Sequence, residues 1–208
     1  MEVRTLHRIV IGRFNPPHAG HERLLRAACA THNTGGFNRV YTRIFFSCKS
    51  DLANNPLSAV SRREWLSNMA SRISEESKAE HTLQIKSFDD QGLFGALKKI
   101  QIFSKDDVVQ IFGGTDRIEE YANRFFKLRA KREMDPLLAN VDVMFSHVPR
   151  ESPLFSSTFA RDMARAGHYE YFSAVMPKTL NEDQIKYLYQ ETRKGIFNND
   201  NKGSDQKT

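Results

Sequence analysis

The chain has 208 residues, 39% of them hydrophobic and 27% charged, with a formal net charge of +6 and two cysteines. Such a length supports one sizeable core, and these fractions are ordinary for a globular protein. No stretch approaches the roughly 20 apolar residues that a membrane-spanning helix needs. No apolar leader follows the N-terminal charges, and Cys29 and Cys48 form neither a disulfide framework nor a metal-ligand spacing, so a cytoplasmic protein with reduced thiols is expected. The basic balance suits an anionic partner without choosing between nucleotides and nucleic acid.

The β-branched run Arg8–Ile11 predicts a buried strand ending at Gly12, and Pro16-Pro17 bars a helix until the turn is complete. A helix with Leu24, Leu25 and Ala28 on its apolar stripe follows from about His18 to Ala30. The β-branched and aromatic residues of Val40–Ser47 predict the second strand. A helix is expected from about Ser58 to Ser74, a strand over Thr82–Phe88 and a helix over Leu93–Phe103. Val108–Phe112 is a further buried strand, closed by Gly113-Gly114, with a helix from about Arg117 to Met134. Basic residues crowd Arg124 to Arg132 and read as the solvated face of that helix.

The last predicted strand is Val141–Val148, and a short helix runs to about Ala166 behind Ser156-Ser157-Thr158. The final helix, Asn181–Lys194, carries a capping-box pattern in Asn181 and Gln184 and stops at Gly195. Residues 1–195 are thus expected as a single domain and residues 196–208 as a disordered polar tail. Strands alternating with helices predict an α/β fold, a doubly wound, Rossmann-like parallel sheet with helices on both faces. Ligands in such sheets bind beyond the carboxyl ends of the strands.

One of those ends carries the most specific stretch of the chain, Gly12-Arg13-Phe14-Asn15-Pro16-Pro17-His18-Ala19-Gly20-His21. A spacing of three puts His18 and His21 on one face of a first helical turn, beside backbone N–H groups that already favour anions. Gly20 lets backbone approach closely. The stretch resembles the HxGH signature of the nucleotidylyltransferase superfamily, with the Gly-x-Phe-x-Pro prefix and preceding strand in place. Near the other end, Phe155-Ser156-Ser157-Thr158-Phe159-Ala160-Arg161 reads by itself as a helix cap with a fixed cation one turn on. It is similar to the superfamily's second signature, Ile-Ser-Ser-Thr-x-x-Arg, with Phe155 for the usual Ile.

The resemblance implies attack by an acceptor phosphate on the α-phosphorus of a nucleoside triphosphate, with release of pyrophosphate. By it His18, His21 and Arg161 are catalytic, with His18 and His21 at the bridging oxygens where charge grows. Gly12, Arg13, Phe14, Gly20, Ser156, Ser157 and Thr158 contact the nucleotide. Gly113, Gly114 and Asp116 are placed by adenine and ribose. Mg²⁺ is expected, bound mainly through the phosphates, with no metal site made by the protein. The segment Asn55-Pro56-Leu57-Ser58-Ala59-Val60-Ser61-Arg62 looks like the Asn-Pro-Phe-Thr-x-x-x-Arg of archaeal-type nicotinamide mononucleotide adenylyltransferases.

That likeness makes Asn55, Arg62 and Trp65 acceptor-binding residues, and ATP with a nicotinamide or nicotinate mononucleotide the substrates. Its plain alternatives are a turn with Ser58 as helix cap and a buried tryptophan. Phosphopantetheine, flavin mononucleotide or a sugar or alcohol phosphate remain as acceptors, and a non-catalytic nucleotide sensor as another role. An aminoacyl-tRNA synthetase would carry a lysine-rich second loop and a tRNA-reading domain, so nucleic acid is not the expected partner. Membrane is not one either, and homo-oligomers are left open.

Overall fold

The computed structural model describes residues 3–30, 36–48, 55–78, 80–88, 95–96 and 100–204, with backbone alone for 115, 116 and 199–204. The strands are β1 (Thr5–Gly12), β2 (Arg39–Ser47), β3 (Thr82–Phe88), β4 (Val108–Gly114) and β5 (Asp142–Val148). They form one all-parallel sheet in the order β3-β2-β1-β4-β5. The fold is α/β and Rossmann-like. The order reverses between β1 and β4, whose register pairs Val10 with Phe112, so the carboxyl ends Gly12 and Gly113-Gly114 neighbour each other at the switch point.

The helices are α1 (Ala19–Cys29), α2 (Ala59–Ser77), α3 (Thr115–Lys131), α4 (Pro136–Asn140), α5 (Ser157–Ala166), α6 (Tyr169–Ala174) and α7 (Glu182–Ser204). The chain divides into two compact units, each drawn from three stretches. The first holds residues 1–12, 24–47 and 73–149, and the second holds 13–23, 48–72 and 150–208.

The first unit is the sheet. Alternation sends Ile9, Ile11, Phe45, Val109 and Ile111 to one face, where Phe125 and Leu128 of α3 close the core. Arg8 and Thr42 point to the other face, and both donate to Ala28 O near the end of α1. Arg8 also donates to Ala30 O. A buried guanidinium there answers the unpaired carbonyls and negative pole of the helix end. On the α3 face, His7 lies between Asp107, at 3.0 Å, and Arg43 in a buried polar cluster.

The basic stretch of α3 is largely engaged locally. Arg124 pairs with Glu120, Lys131 with Glu133, and Arg129 donates to Val141 O while its guanidinium lies 4.8 Å from the Phe125 ring centre.

Three expectations need correction. Of Leu93–Phe103, residues 93–94 and 97–99 lie outside the described ones, 95 and 96 are helical as expected, and 100–103 are not helical. There Ile100 and Ile102 are buried in the sheet core without a helix between them. The two short helices α4 and α6 are absent from the sequence reading because five or six residues show no 3.6-residue period. The last helix does not stop at Gly195 but runs on to Ser204, so residues 196–204 are helical where a disordered tail is expected. Residues 205–208 lie outside the described ones. Ile196 is buried and carries the apolar stripe past the glycine. Gly195 is a close-approach residue: a Cβ there would stand 2.1 Å from Pro56 O. No helix among the described residues is long and apolar enough to cross a membrane.

Candidate active site

The second unit contains Arg13–His21 of the first signature, the whole second signature and the Asn55–Arg62 segment. Phe14 has a positive φ of 51° and is fully buried, followed by a cis peptide bond at Asn15-Pro16. The loop is anchored by Asn15, whose side chain is wholly enclosed. Its Oδ1 accepts from Leu57 N at 3.0 Å, and its Nδ2 donates to Leu57 O at 3.2 Å and to Asn55 Oδ1 at 3.3 Å. Those bonds satisfy a buried amide and two buried backbone groups at once.

His18 opens α1, with the N–H groups of His21 and Glu22 donating to its carbonyl. The Gly20 N–H donates to His18 Nδ1 at 3.1 Å, so the neutral ring carries its proton on Nε2. A Cβ at Gly20 would come within 2.9 Å of that ring, which is why this position suits glycine. The two imidazole centres are 3.8 Å apart, and the Phe14 ring lies 4.5 Å from that of His21. His21 Nδ1 is enclosed with no hydrogen-bond partner among the described residues. Burial pushes the His18 pKa down to about 3, aided by the Arg150 charge. Burial, His18 and Arg150 push His21 well below the ordinary value. Both rings are therefore neutral hydrogen-bonding groups near neutral pH.

The late signature is bound to the same loop. Ser157 Oγ donates to Pro16 O at 2.9 Å, and Arg161 Nη1 donates to Asn15 O at 2.8 Å. Arg161 Nη2 also donates to Thr158 Oγ1 at 3.1 Å. Ser156 is the N-cap of α5, its Oγ accepting from Phe159 N, so its hydroxyl serves the helix. The remaining free N–H groups of that first turn and the Arg161 guanidinium form an anion-favouring corner beside residues 15 and 16. Arg13 is exposed next to it in sequence.

No protein-family model matches the chain, and no curated protein matches it.

The three residues assigned to the acceptor are engaged within the protein. Arg62 is fully buried, and its guanidinium donates to Ser58 O and to Arg13 O, each at 3.3 Å. It braces the backbone of the first signature. Asn55 is buried and accepts from Asn15. Trp65 is 6% exposed, its indole N–H donating to Glu191 at 3.1 Å with the Tyr187 ring beside it. Its ring packs between α2 and α7, with its N–H used inside the protein. Ser58 caps α2 by accepting from Ser61 N.

Gly12, Gly113 and Gly114 lie in the sheet unit, at the neighbouring carboxyl ends of β1 and β4. Gly113 packs against Ile118, and Gly114 is the N-cap of α3. The Asp116 side chain lies outside the described residues. Two residues escape the sequence reading. Asn15 is hidden inside a signature as a spacer, and Arg150 follows Pro149 in what reads as a plain turn. Among the described residues, no group of three or more His, Cys, Asp or Glu is placed to hold a metal ion.

Proposed function

We propose that the protein is a nucleotidylyltransferase that moves AMP from ATP to nicotinamide or nicotinate mononucleotide and releases pyrophosphate. One observation carries this reading. The paired imidazoles of His18 and His21 open one helix, while the N-terminus of α5 and Arg161 are bonded to the same loop. Neutral donors beside an anion-favouring helix end and a planar cation make a place for a polyphosphate undergoing displacement.

An acceptor phosphate oxygen forms the new bond to the α-phosphorus, and the bond to the bridging oxygen breaks. Pyrophosphate leaves with that electron pair. No covalent nucleophile is required, because positioning and charge neutralisation supply the rate. His18, with its proton on Nε2, donates towards the bridging oxygen, and His21 lies against it. Arg161, Ser157 and Thr158 hold the outer phosphates. The donor set on the chain suits anions, so Mg²⁺ would be held by phosphate oxygens and water, where it offsets negative charge.

An acceptor of another kind, such as phosphopantetheine or a sugar phosphate, is the second reading. It is favoured because Asn55, Arg62 and Trp65 are spent on the protein's own backbone and packing. Both readings are tested by pyrophosphate release with Mg²⁺ and ATP or CTP against a panel of phosphate acceptors. Fast release with ATP and either mononucleotide, lost in His21→Ala and Arg161→Ala, supports the first. Each loss should raise the barrier by about 2.7–4 kcal/mol, as for a single oxyanion donor. Release with another acceptor alone supports the second, and no release with any acceptor sinks both.

A further inference from the structure

Glu22 directly follows His21 in the first turn of α1, yet it is only 5% exposed and belongs to neither signature. Its Oε2 accepts from the backbone N–H of Lys178 at 2.5 Å, on the connection between α6 and α7. Three residues back on each side, the Ala19 N–H donates to Val175 O at 2.9 Å. The two bonds run in opposite directions and join residues 19 and 22 of α1 to residues 175 and 178. The connection is also held to α2, where Arg72 donates to Thr179 O, and its Val175, Met176, Thr179 and Leu180 are buried. All of these residues belong to the second unit. The next three N–H groups of the turn are spent as well, Gly20 on His18 Nδ1 and both His21 and Glu22 on His18 O.

We propose that Glu22 is a positioning residue of the candidate active site, its buried carboxylate clamping the connection between α6 and α7 onto the first turn of α1 and so fixing the two imidazoles. The proposal rests on the nucleotidylyl-transfer reading for the reaction, and on the paired bonds for the clamp. With the N–H groups of residues 19–22 engaged inside the protein, the turn meets an anion through the His18 and His21 rings. The placement of the turn therefore decides where those donors point. Residues 19 and 22 each follow a histidine by one position, so the clamped face lies about 100° round the turn from the imidazole face. A rotation that swings the rings away must break the clamp. A carboxylate suits this task, because a charged acceptor holds an N–H more strongly than a neutral one. It is also favoured at the positive end of a helix.

The test compares the full chain with its Glu22→Ala and Glu22→Gln variants, each held well below its melting temperature. Hydrogen exchange at the Lys178 amide and the NMR signals of the His18 and His21 rings are read without ligand. Pyrophosphate release is read with Mg²⁺, ATP and whichever phosphate acceptor the parent uses. Glu22→Ala should speed exchange at Lys178 and displace both ring signals. Its kcat should fall by about tenfold to a hundredfold, as for a misplaced catalytic group. KM for ATP should stay nearly unchanged, because Ser157, Thr158 and Arg161 still hold the outer phosphates. Glu22→Gln keeps an oxygen that can accept from Lys178 and should recover part of the rate. If Glu22→Ala does not fold, Glu22→Gln carries the test, with faster Lys178 exchange and a smaller fall in kcat than a full loss. Unchanged Lys178 exchange, unmoved ring signals, a rise in KM alone, or displaced rings with parental kcat would each overturn the proposal. Displaced rings in a chain whose parent releases no pyrophosphate with any acceptor keep the clamp and discard nucleotidylyl transfer.

Discussion

Arg161 Nη1 donates to the backbone oxygen of Asn15 at 2.8 Å, joining two residues 146 positions apart. Through Asn15 the same loop is bonded to Leu57 and Asn55, so three distant stretches meet at one asparagine. A catalytic constellation needs this kind of support, because a shift of about 1 Å in a positioning group costs on the order of a hundredfold in rate.

Asn15→Ala should therefore be costly twice over. It leaves the buried Leu57 N–H and C=O unpaired, at about 1–3 kcal/mol for each lost partner. Urea unfolding would read this as a lower midpoint with an unchanged slope. In folded protein, kcat should fall more than KM rises, since the backbone oxygen to which Arg161 donates is no longer held in place by the side chain of residue 15. A variant as stable as the parent would show the loop is held by something else.

His18 makes stability depend on pH. Its pKa is about 3 in the folded protein against an ordinary 6.5, with burial the first cause and Arg150 the second. Below 6.5 the unfolded chain takes up a proton that the folded chain refuses. The contribution is thus complete above that value and lost progressively as pH falls towards 3. Comparing urea midpoints at about pH 7 and about pH 5 should show a smaller drop for His18→Gln than for the parent. Equal drops would place the ring in contact with water.

Trp65→Phe separates packing from substrate contact. The ring volume is largely kept while the bond to Glu191 is lost, so stability should fall by about 0.5–1.5 kcal/mol. The acceptor KM should stay unchanged, and an increase of several-fold would return Trp65 to the acceptor pocket.

Gly195→Ala offers a test in which local and tertiary preferences oppose each other. Alanine is better than glycine by about 1 kcal/mol inside a helix. Here the new methyl group would meet Pro56 O at 2.1 Å, and overpacking costs about 1–3 kcal/mol. A lower melting temperature is expected, whereas a rise would mean that α7 stands clear of Pro56.

Much of the architecture is legible because it depends on local patterns. Thr82–Phe88 is predicted and found as β3, and the capping box appears as reciprocal bonds between Asn181 and Gln184 at 2.9 and 3.0 Å. β-Branched runs ending at glycines mark β1 and β4, the two strands at the switch point. What failed locally failed for a reason in space. Gly195 reads as a stop in isolation but is a contact point in the fold.

The sequence by itself determined the alternation of strands and helices, the helix caps and the residue types of both signatures, since each depends on neighbours a few positions away. Tertiary structure alone decided what those side chains do. Arg62, Asn55 and Trp65 have the residue types of a binding site, yet burial spends their polar groups on Arg13, Asn15 and Glu191. A polar group enclosed by the fold must find its partner inside the fold, and that partner is chosen by packing between stretches 40 to 126 residues apart rather than by any motif.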